Sequence, residues 1–154
     1  MTRKRALLIA AHGSRRPQSN EEIKHLASRV QQQVVAEFDW VEHAFLELTE
    51  PSIESGIDRC VALGAHEIVV LPYFLSAGRH VAEDIPAIVQ AKRQQYQAQD
   101  IAIRLTNYLG ASQVMPGLVL ETALAKRCAC ERDIADCAYP DCQLWPSGMS
   151  CHCD

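Results

Sequence analysis

The sequence lacks a long apolar run, a strongly basic region and a glycine-rich phosphate loop. No segment approaches the length of a membrane span, so we expect no transmembrane helix and no membrane partner. The formal net charge is −4, and the sequence lacks the excess of basic residues that nucleic-acid binding requires, which argues against a nucleic-acid partner. Neither a dinucleotide fingerprint nor a Walker-type lysine is present, and the predicted chemistry therefore requires no nucleotide.

Cysteine is almost missing from the first 127 residues. Cys60 is alone there, and it shares a predicted helical stripe with Ile53 and Ile57, which indicates a core thiol.

The basic first residues precede an apolar run too short for a signal peptide, so we expect a cytoplasmic protein. Disulfides are disfavoured in that compartment, and the remaining thiols favour metal or redox chemistry. These thiols are Cys128, Cys130, Cys137, Cys142, Cys151 and Cys153.

What the sequence does contain is a repeated pattern of short apolar runs and amphipathic helices. Its 154 residues, 48% of them hydrophobic, suffice for one domain with its own core, expected over residues 1–127. Four repeats of strand then helix predict an α/β fold with three layers: a parallel sheet of about four strands, with helices on both faces. We expect strands over 5–11, 39–48, 67–75 and 101–109, and helices over 19–38, from Pro51, from an Asp84 cap, and over 115–126. Residues 128–154 form a Cys-rich extension without periodicity.

Chemistry-bearing side chains follow each predicted strand. Because parallel strands end at one edge of a sheet, we expect these side chains to be neighbours. Two imidazoles and a carboxylate at this edge suit a divalent ion such as Fe²⁺, Co²⁺ or Ni²⁺. The residues are His12, Ser14 and Arg15 after the first strand, Glu47 after the second, Ser76, Arg79 and His80 after the third, and Tyr108 and Ser112 after the fourth.

Three motifs together resemble the sirohydrochlorin chelatase family, over roughly residues 5 to 126. They are His12-Gly13-Ser14-Arg15, then Glu47 with Pro51-Ser52, then Pro72-Tyr73-Phe74-Leu75 with Gly78, His80 and Asp84-Ile85-Pro86. The resemblance implies an enzyme that inserts cobalt, iron or nickel into a precorrin-derived tetrapyrrole without ATP. A chain of this size resembles the short form, which carries one chelatase domain and pairs as a homodimer.

The resemblance also implies roles for individual residues. His12 and His80 would hold the incoming ion and accept the two pyrrole N–H protons, and Glu47 would be a third ligand or a proton acceptor. Ser14, Ser76 and the cations Arg15, Arg16 and Arg79 would meet the acetate and propionate arms of sirohydrochlorin. Apolar Phe74, Leu75 and Leu109 would lie against the ring.

Other interpretations stay open at this point. Glu47 could merely cap the following helix, and Arg15 and Arg79 could be ordinary surface charges. A phosphohistidine phosphatase would need an arginine where Ala11 stands. His25, His43 and His66 are interpreted as solvated, structural and at the opposite sheet edge, respectively.

The extension allows a second class of function. Its cysteine spacing is not that of a zinc ribbon, but six thiols could hold an iron–sulfur cluster or a metal ion, or nothing specific. The chain would then be a metal-binding carrier or storage protein.

Overall fold

The computed structural model describes residues 3–34 and 36–124. Over these residues strands and helices alternate four times, as the sequence predicts. The elements are β1 (Arg5–Ala11), α1 (Pro17–Gln33), β2 (Trp40–Phe45), α2 (Ile53–Ala62), β3 (Glu67–Pro72), α3 (Ile85–Tyr96), β4 (Ala102–Leu105) and α4 (Met115–Leu124). A π-helical turn, His80–Asp84, leads into α3, and a 3₁₀ turn, Leu109–Ala111, follows β4.

The four strands of the described chain lie parallel in one sheet, in the order β2-β1-β3-β4. β1 is an interior strand, with Leu8 opposite Glu42 of β2 on one side and opposite Val70 of β3 on the other. A strand that is paired at both edges and covered on both faces needs no polar side. This position explains the unbroken apolar run of β1.

Successive side chains of β1 enter two apolar clusters on opposite faces of the sheet. Leu8 packs with Ile57 of α2 and Val89 of α3. Its neighbour Leu7 packs on the other face with Ala27 of α1. Helices therefore cover both faces, and the predicted three-layer α/β architecture is confirmed.

The strands end earlier than their apolar runs. β3 ends at Pro72, and Phe74 and Leu75 belong to the turn that follows. β4 ends at Leu105, not at Leu109. Beyond these ends the backbone turns, with the Phe74 N–H donating to the Pro72 carbonyl at 3.0 Å. Apolar composition alone does not distinguish a strand from an apolar turn, which is why the predicted bounds were too long.

The start of α2 corrects one prediction and answers an open question. Pro51 does not open the helix: it follows a cis peptide bond and precedes the cap residue, Ser52. The Ser52 hydroxyl accepts from the Ser55 N–H at 3.1 Å, which satisfies one free donor of the first turn. Glu47 therefore does not cap this helix.

The start of α3 corrects a second prediction. Asp84 was expected to cap the helix, but its side chain makes no capping hydrogen bond. The helical backbone already begins at His80, in the π-helical turn, where the Ile85 N–H donates to the His80 carbonyl. The Asp84 carboxylate is thereby left available for a different partner.

Residues up to Ser112 form one compact unit, and α4 belongs to a second. In the described part of the chain, no helix is both long enough and apolar enough to cross a membrane. The six cysteines of the extension, and any metal or cluster that they hold, lie outside the described residues.

Candidate metal centre

Three side chains that the sequence singled out converge at the carboxyl edge of the sheet. His12, Glu47 and His80 each offer one ligand atom, and these atoms lie within 4.8 Å of one another. The His12 Nε2 is 3.3 Å from the Glu47 Oε1, and the two imidazole centroids are 4.9 Å apart. Two atoms bound to one ion at about 2.1 Å are at most about 4.2 Å apart, so small side-chain rotations suffice for all three to bind it.

The strand order explains this convergence. The connection through α1 runs from β1 to one neighbour, β2, and the connection through α2 crosses back to the other neighbour, β3. In open parallel sheets, ligands bind where the direction of the connections reverses. His12 follows β1 and His80 follows the turn after β3, so both lie at this reversal, with Glu47 on the side of β2.

Backbone pairing continues past the strand ends and joins His12 to Glu47. The Glu47 N–H donates to the His12 carbonyl at 3.0 Å, and the Leu46 N–H donates to the Ala11 carbonyl at 2.9 Å. Gly13 makes this approach possible: at φ +94°, a Cβ on it would lie 1.9 Å from the Glu47 carbonyl oxygen. The two candidate ligands are therefore held together by main-chain bonds.

Asn20 of α1 holds the turn that carries His12. It is buried, its side-chain oxygen accepts from the Ser14 N–H at 2.9 Å, and its amide donates to the Ser14 carbonyl at 2.8 Å. The Ser14 hydroxyl accepts from the Arg16 N–H at 3.0 Å. Sequence reasoning missed Asn20, because nothing in its local pattern distinguishes it from an exposed helix residue.

Both candidate imidazoles use Nδ1 for a structural hydrogen bond. The His12 Nδ1 lies 3.0 Å from the Gly13 carbonyl and its Nε2 lies 3.3 Å from the Glu47 Oε1, and since both partners only accept, either nitrogen of this ring can carry the proton. The His80 Nδ1 lies 2.7 Å from the Asp84 Oδ2. In the neutral His80 ring, and in the His12 ring when its Nδ1 donates to Gly13, the lone pair is on Nε2, which is the atom available to an ion.

The site is open to solvent. The exposed fractions of the His12, Glu47 and His80 side chains are 44%, 50% and 38%. Structural zinc sites are closed by four protein ligands, whereas catalytic zinc sites keep a position free. Three partly exposed ligands fit an ion that must be passed on.

The apolar residues predicted to meet a ring lie beside these ligands. The Phe74 ring is 6.4 Å from the His12 ring, edge to face, and Leu75 is 70% exposed. Their loop is held by Gly110, whose N–H donates to the Phe74 carbonyl at 2.9 Å. A Cβ on Gly110 would lie 2.0 Å from the Leu75 carbonyl oxygen, so this contact requires glycine.

The polar residues predicted to meet the substrate lie on the two turns that carry His12 and His80. Ser76, Arg15 and Arg16 are exposed on the two turns. Arg79 is 78% exposed and its Nε lies 3.6 Å from a Glu83 carboxylate oxygen. These positions leave the cations accessible to an anionic substrate.

Burial shifts the pKa of two titratable groups outside the site. Burial, with a smaller effect of Glu42, raises the pKa of the Cys60 thiol to about 12, so Cys60 is a core residue, as predicted. Burial also lowers the pKa of His43.

The chain has clear relatives among known proteins. The CbiX family profile matches residues 6–125. A sirohydrochlorin cobaltochelatase of Methanococcus aeolicus is 37% identical over 84 residues, 54% of this chain and 57% of the relative. The chloroplastic sirohydrochlorin ferrochelatase of Arabidopsis thaliana is 33% identical over 113 residues, 73% of this chain and 48% of the relative.

A solved structure agrees with these sequence matches. The sirohydrochlorin chelatase SirB of Bacillus subtilis subspecies spizizenii, in complex with cobalt, superposes with a TM-score of 0.66 at 30% identity. The match covers 80% of this chain and 52% of that chain. The present chain thus spans a little over half the length of the first relatives that it matches. The profile match and these relatives confirm the resemblance: the chain belongs to the CbiX family.

Proposed function

We propose that this protein inserts a divalent metal ion, Co²⁺, Fe²⁺ or Ni²⁺, into sirohydrochlorin without ATP. The observation that carries the proposal is the open cluster of His12, Glu47 and His80 at the sheet edge. The names of the relatives, which include a cobaltochelatase and a ferrochelatase, support both the reaction class and the substrate. They do not single out one metal.

The proposed chemistry balances with the groups at the site. Insertion exchanges one divalent ion for two pyrrole N–H protons. The Nε2 atoms of His12 and His80 and a Glu47 oxygen first hold the ion. As the ion moves to the ring nitrogens, the same atoms regain free lone pairs and can accept the departing protons. One set of side chains therefore serves both halves of the exchange.

The surroundings of the cluster fit a large anionic ring. Phe74 and the exposed Leu75 provide an apolar surface beside the ligands. Arg15 and Arg79, with Ser14 and Ser76, provide polar partners for the acetate and propionate arms. The partly exposed ligands leave one side of the ion accessible to the ring.

Insertion kinetics with purified protein, sirohydrochlorin and each ion in turn, under anaerobic conditions, test this proposal. We expect His12→Ala and His80→Ala to lower turnover by more than about 100-fold, since each removes a ligand and a proton acceptor. Neither change opens a core cavity, so the fold should persist. His25→Ala, on the exposed face of α1, is the matched control and should insert metal at the parent rate.

Turnover of His12→Ala or His80→Ala within a few-fold of the parent would contradict the assignment. A carrier would bind metal yet insert it no faster than the uncatalysed reaction; no observation supports that alternative. Three further expectations stay predictions. They are a cluster or metal ion on the thiols of the extension, the domain boundary after residue 127 and a cytoplasmic location.

A further inference from the structure

The carboxylate of Asp84 lies directly behind His80. Its Oδ2 is 2.7 Å from the His80 Nδ1, a short distance for a hydrogen bond and typical of one with a charged partner. Its other oxygen, Oδ1, is 3.9 Å from the Arg79 Nε. The side chains of His80 and Asp84 are 38% and 35% exposed, so each keeps one side open to solvent beside this contact.

The backbone of the π-helical turn sets up this pair. His80 and Asp84 are its first and last residues, and side chains four apart in a helical segment lie on one face. Because Asp84 does not cap α3, its carboxylate has no competing backbone donor among the hydrogen bonds of the turn. π-helical turns are often found at functional sites.

The contact determines which nitrogen of His80 faces the ion. A carboxylate only accepts hydrogen bonds, so the His80 Nδ1 must carry the proton and the lone pair of the neutral ring is on Nε2. His12 can reach the same state by donating from Nδ1 to the Gly13 carbonyl. In that state the two imidazoles present the same atom to the ion, and it is His80 whose proton position depends on a side chain, Asp84.

We propose that Asp84 is a positioning residue that holds the His80 ring in the Nδ1–H form and aims its Nε2 at the ion. This inference rests on the proposed function, because it assumes that His80 is a ligand. Carboxylates that accept from the second nitrogen of a ligand histidine typically contribute about 10- to 100-fold to metal affinity. Glu83 lies on the same turn as Asp84, but its side chain is 70% exposed and its carboxylate pairs with Arg79.

The test is a Co²⁺ titration of the full-length protein without tetrapyrrole, followed by visible absorbance. The part of the signal that His80→Ala removes reports this site and excludes any ion held elsewhere. We expect Asp84→Ala to weaken that part by about 10- to 100-fold and to change its spectrum. Glu83→Ala removes an equal charge from the same turn and should leave affinity and spectrum within about twofold of the parent.

A second readout needs neither metal nor activity. In the metal-free, ¹⁵N-histidine-labelled protein, long-range ¹H–¹⁵N correlations distinguish the two neutral forms of each imidazole. The His80 signals, identified by their loss in His80→Ala, should show the Nδ1–H form in the parent and in Glu83→Ala. In Asp84→Ala the Nε2–H form should appear.

The outcomes separate the inference from the function on which it rests. Parent-like Co²⁺ affinity, spectrum and His80 proton position in Asp84→Ala would overturn the role of Asp84 and leave the metal site intact. A parent Co²⁺ signal that His80→Ala does not change would overturn both. Asp84→Asn keeps the size of the side chain, and its amide can donate to Nδ1, so its affinity should fall at least as far as that of Asp84→Ala.

Discussion

Single residues set the geometry of the candidate centre, and Gly13 does so most directly. Its backbone is in the left-handed region, at φ +94°, and its Cα faces the Glu47 carbonyl. A side chain there would have to separate the turn that carries His12 from the one that carries Glu47. The contact between two candidate ligands therefore depends on a glycine, which has no side chain of its own to bind an ion.

We expect Gly13→Ala to lower the free energy of unfolding by about 2–4 kcal/mol, from backbone strain together with the clash. It should also slow metal insertion, because it separates His12 from Glu47. Gly64→Ala is the matched control: Gly64 has φ +93°, but no atom lies within 4 Å of the position of its added Cβ. That control should lose only about 1–2 kcal/mol and keep full activity.

Denaturant unfolding and insertion assays on both variants measure these differences. Equal losses of stability in Gly13→Ala and Gly64→Ala would show that strain alone matters and that the contact with Glu47 does not.

At the scale of elements, α2 and α3 are joined by a polar network at their packed surface. The Lys92 Nζ donates to both Asp58 oxygens, at 2.6 and 2.8 Å, and the Tyr96 hydroxyl donates to Asp58 at 2.6 Å. Lys92 and Tyr96 are buried, so the carboxylate satisfies two groups that would otherwise lose hydrogen bonds on folding. Burial acts to raise the pKa of Asp58, but the bonds from Lys92 and Tyr96 outweigh it, and the net shift is downward.

This network predicts a pH dependence of stability. The hydrogen bond to Asp58, with burial, raises the pKa of Tyr96 to about 12. The folded chain thus holds the phenol proton more tightly than the unfolded chain, whose tyrosine titrates near its usual value of about 10. The stabilisation is complete below about pH 10 and is lost as the pH rises through about 12.

Tyr96→Phe should lower the free energy of unfolding at neutral pH by about 1–2 kcal/mol, because it removes the hydrogen bond to Asp58. It should also abolish the loss of stability that ionisation of Tyr96 causes at alkaline pH. Denaturant unfolding curves of the parent and the variant, measured from pH 7 to about pH 12, give the difference between their free energies of unfolding at each pH. A constant difference across that range would refute the coupling.

For the whole molecule, we expect one copy of the domain to be too small to enclose a tetrapyrrole. Leu75 is 70% and Leu48 51% exposed on the turns of the candidate centre, and Tyr73 is 37% exposed. The match covers only 52% of the SirB chain, so that protein has further chain beyond the matched part. In the present protein, we expect a second copy of the chain to supply the opposing wall.

We therefore expect a homodimer that encloses the ring between two copies. Sedimentation at the protein concentration of the insertion assay should give twice the mass of one chain. The same preparation, diluted until it dissociates, should lose specific activity in parallel with the dimer fraction. A monomer with full activity would contradict this expectation.

The repeated strand-and-helix pattern, both candidate histidines and Glu47 were all predicted from the sequence. Strand and helix periodicities arise from which side chains face the core, and this is a local property of the chain. That the side chains after parallel strands share an edge follows from the fold class alone. The bounds were less accurate: the apolar turn at Phe74 and Leu75 was taken for strand, and Pro51 for the start of α2.

The sequence by itself determined the class of fold, the four repeats and the residue types available at one edge. Only the tertiary structure decided that β1 lies between β2 and β3, which brings His12 next to both Glu47 and His80. Strand order depends on how the crossing helices pack on the two faces, and no local pattern encodes it. The tertiary structure also decided the partner of Asp84. From the sequence, an aspartate just before a helix could either cap that helix or accept a hydrogen bond from His80. The backbone of the π-helical turn brings the carboxylate to His80.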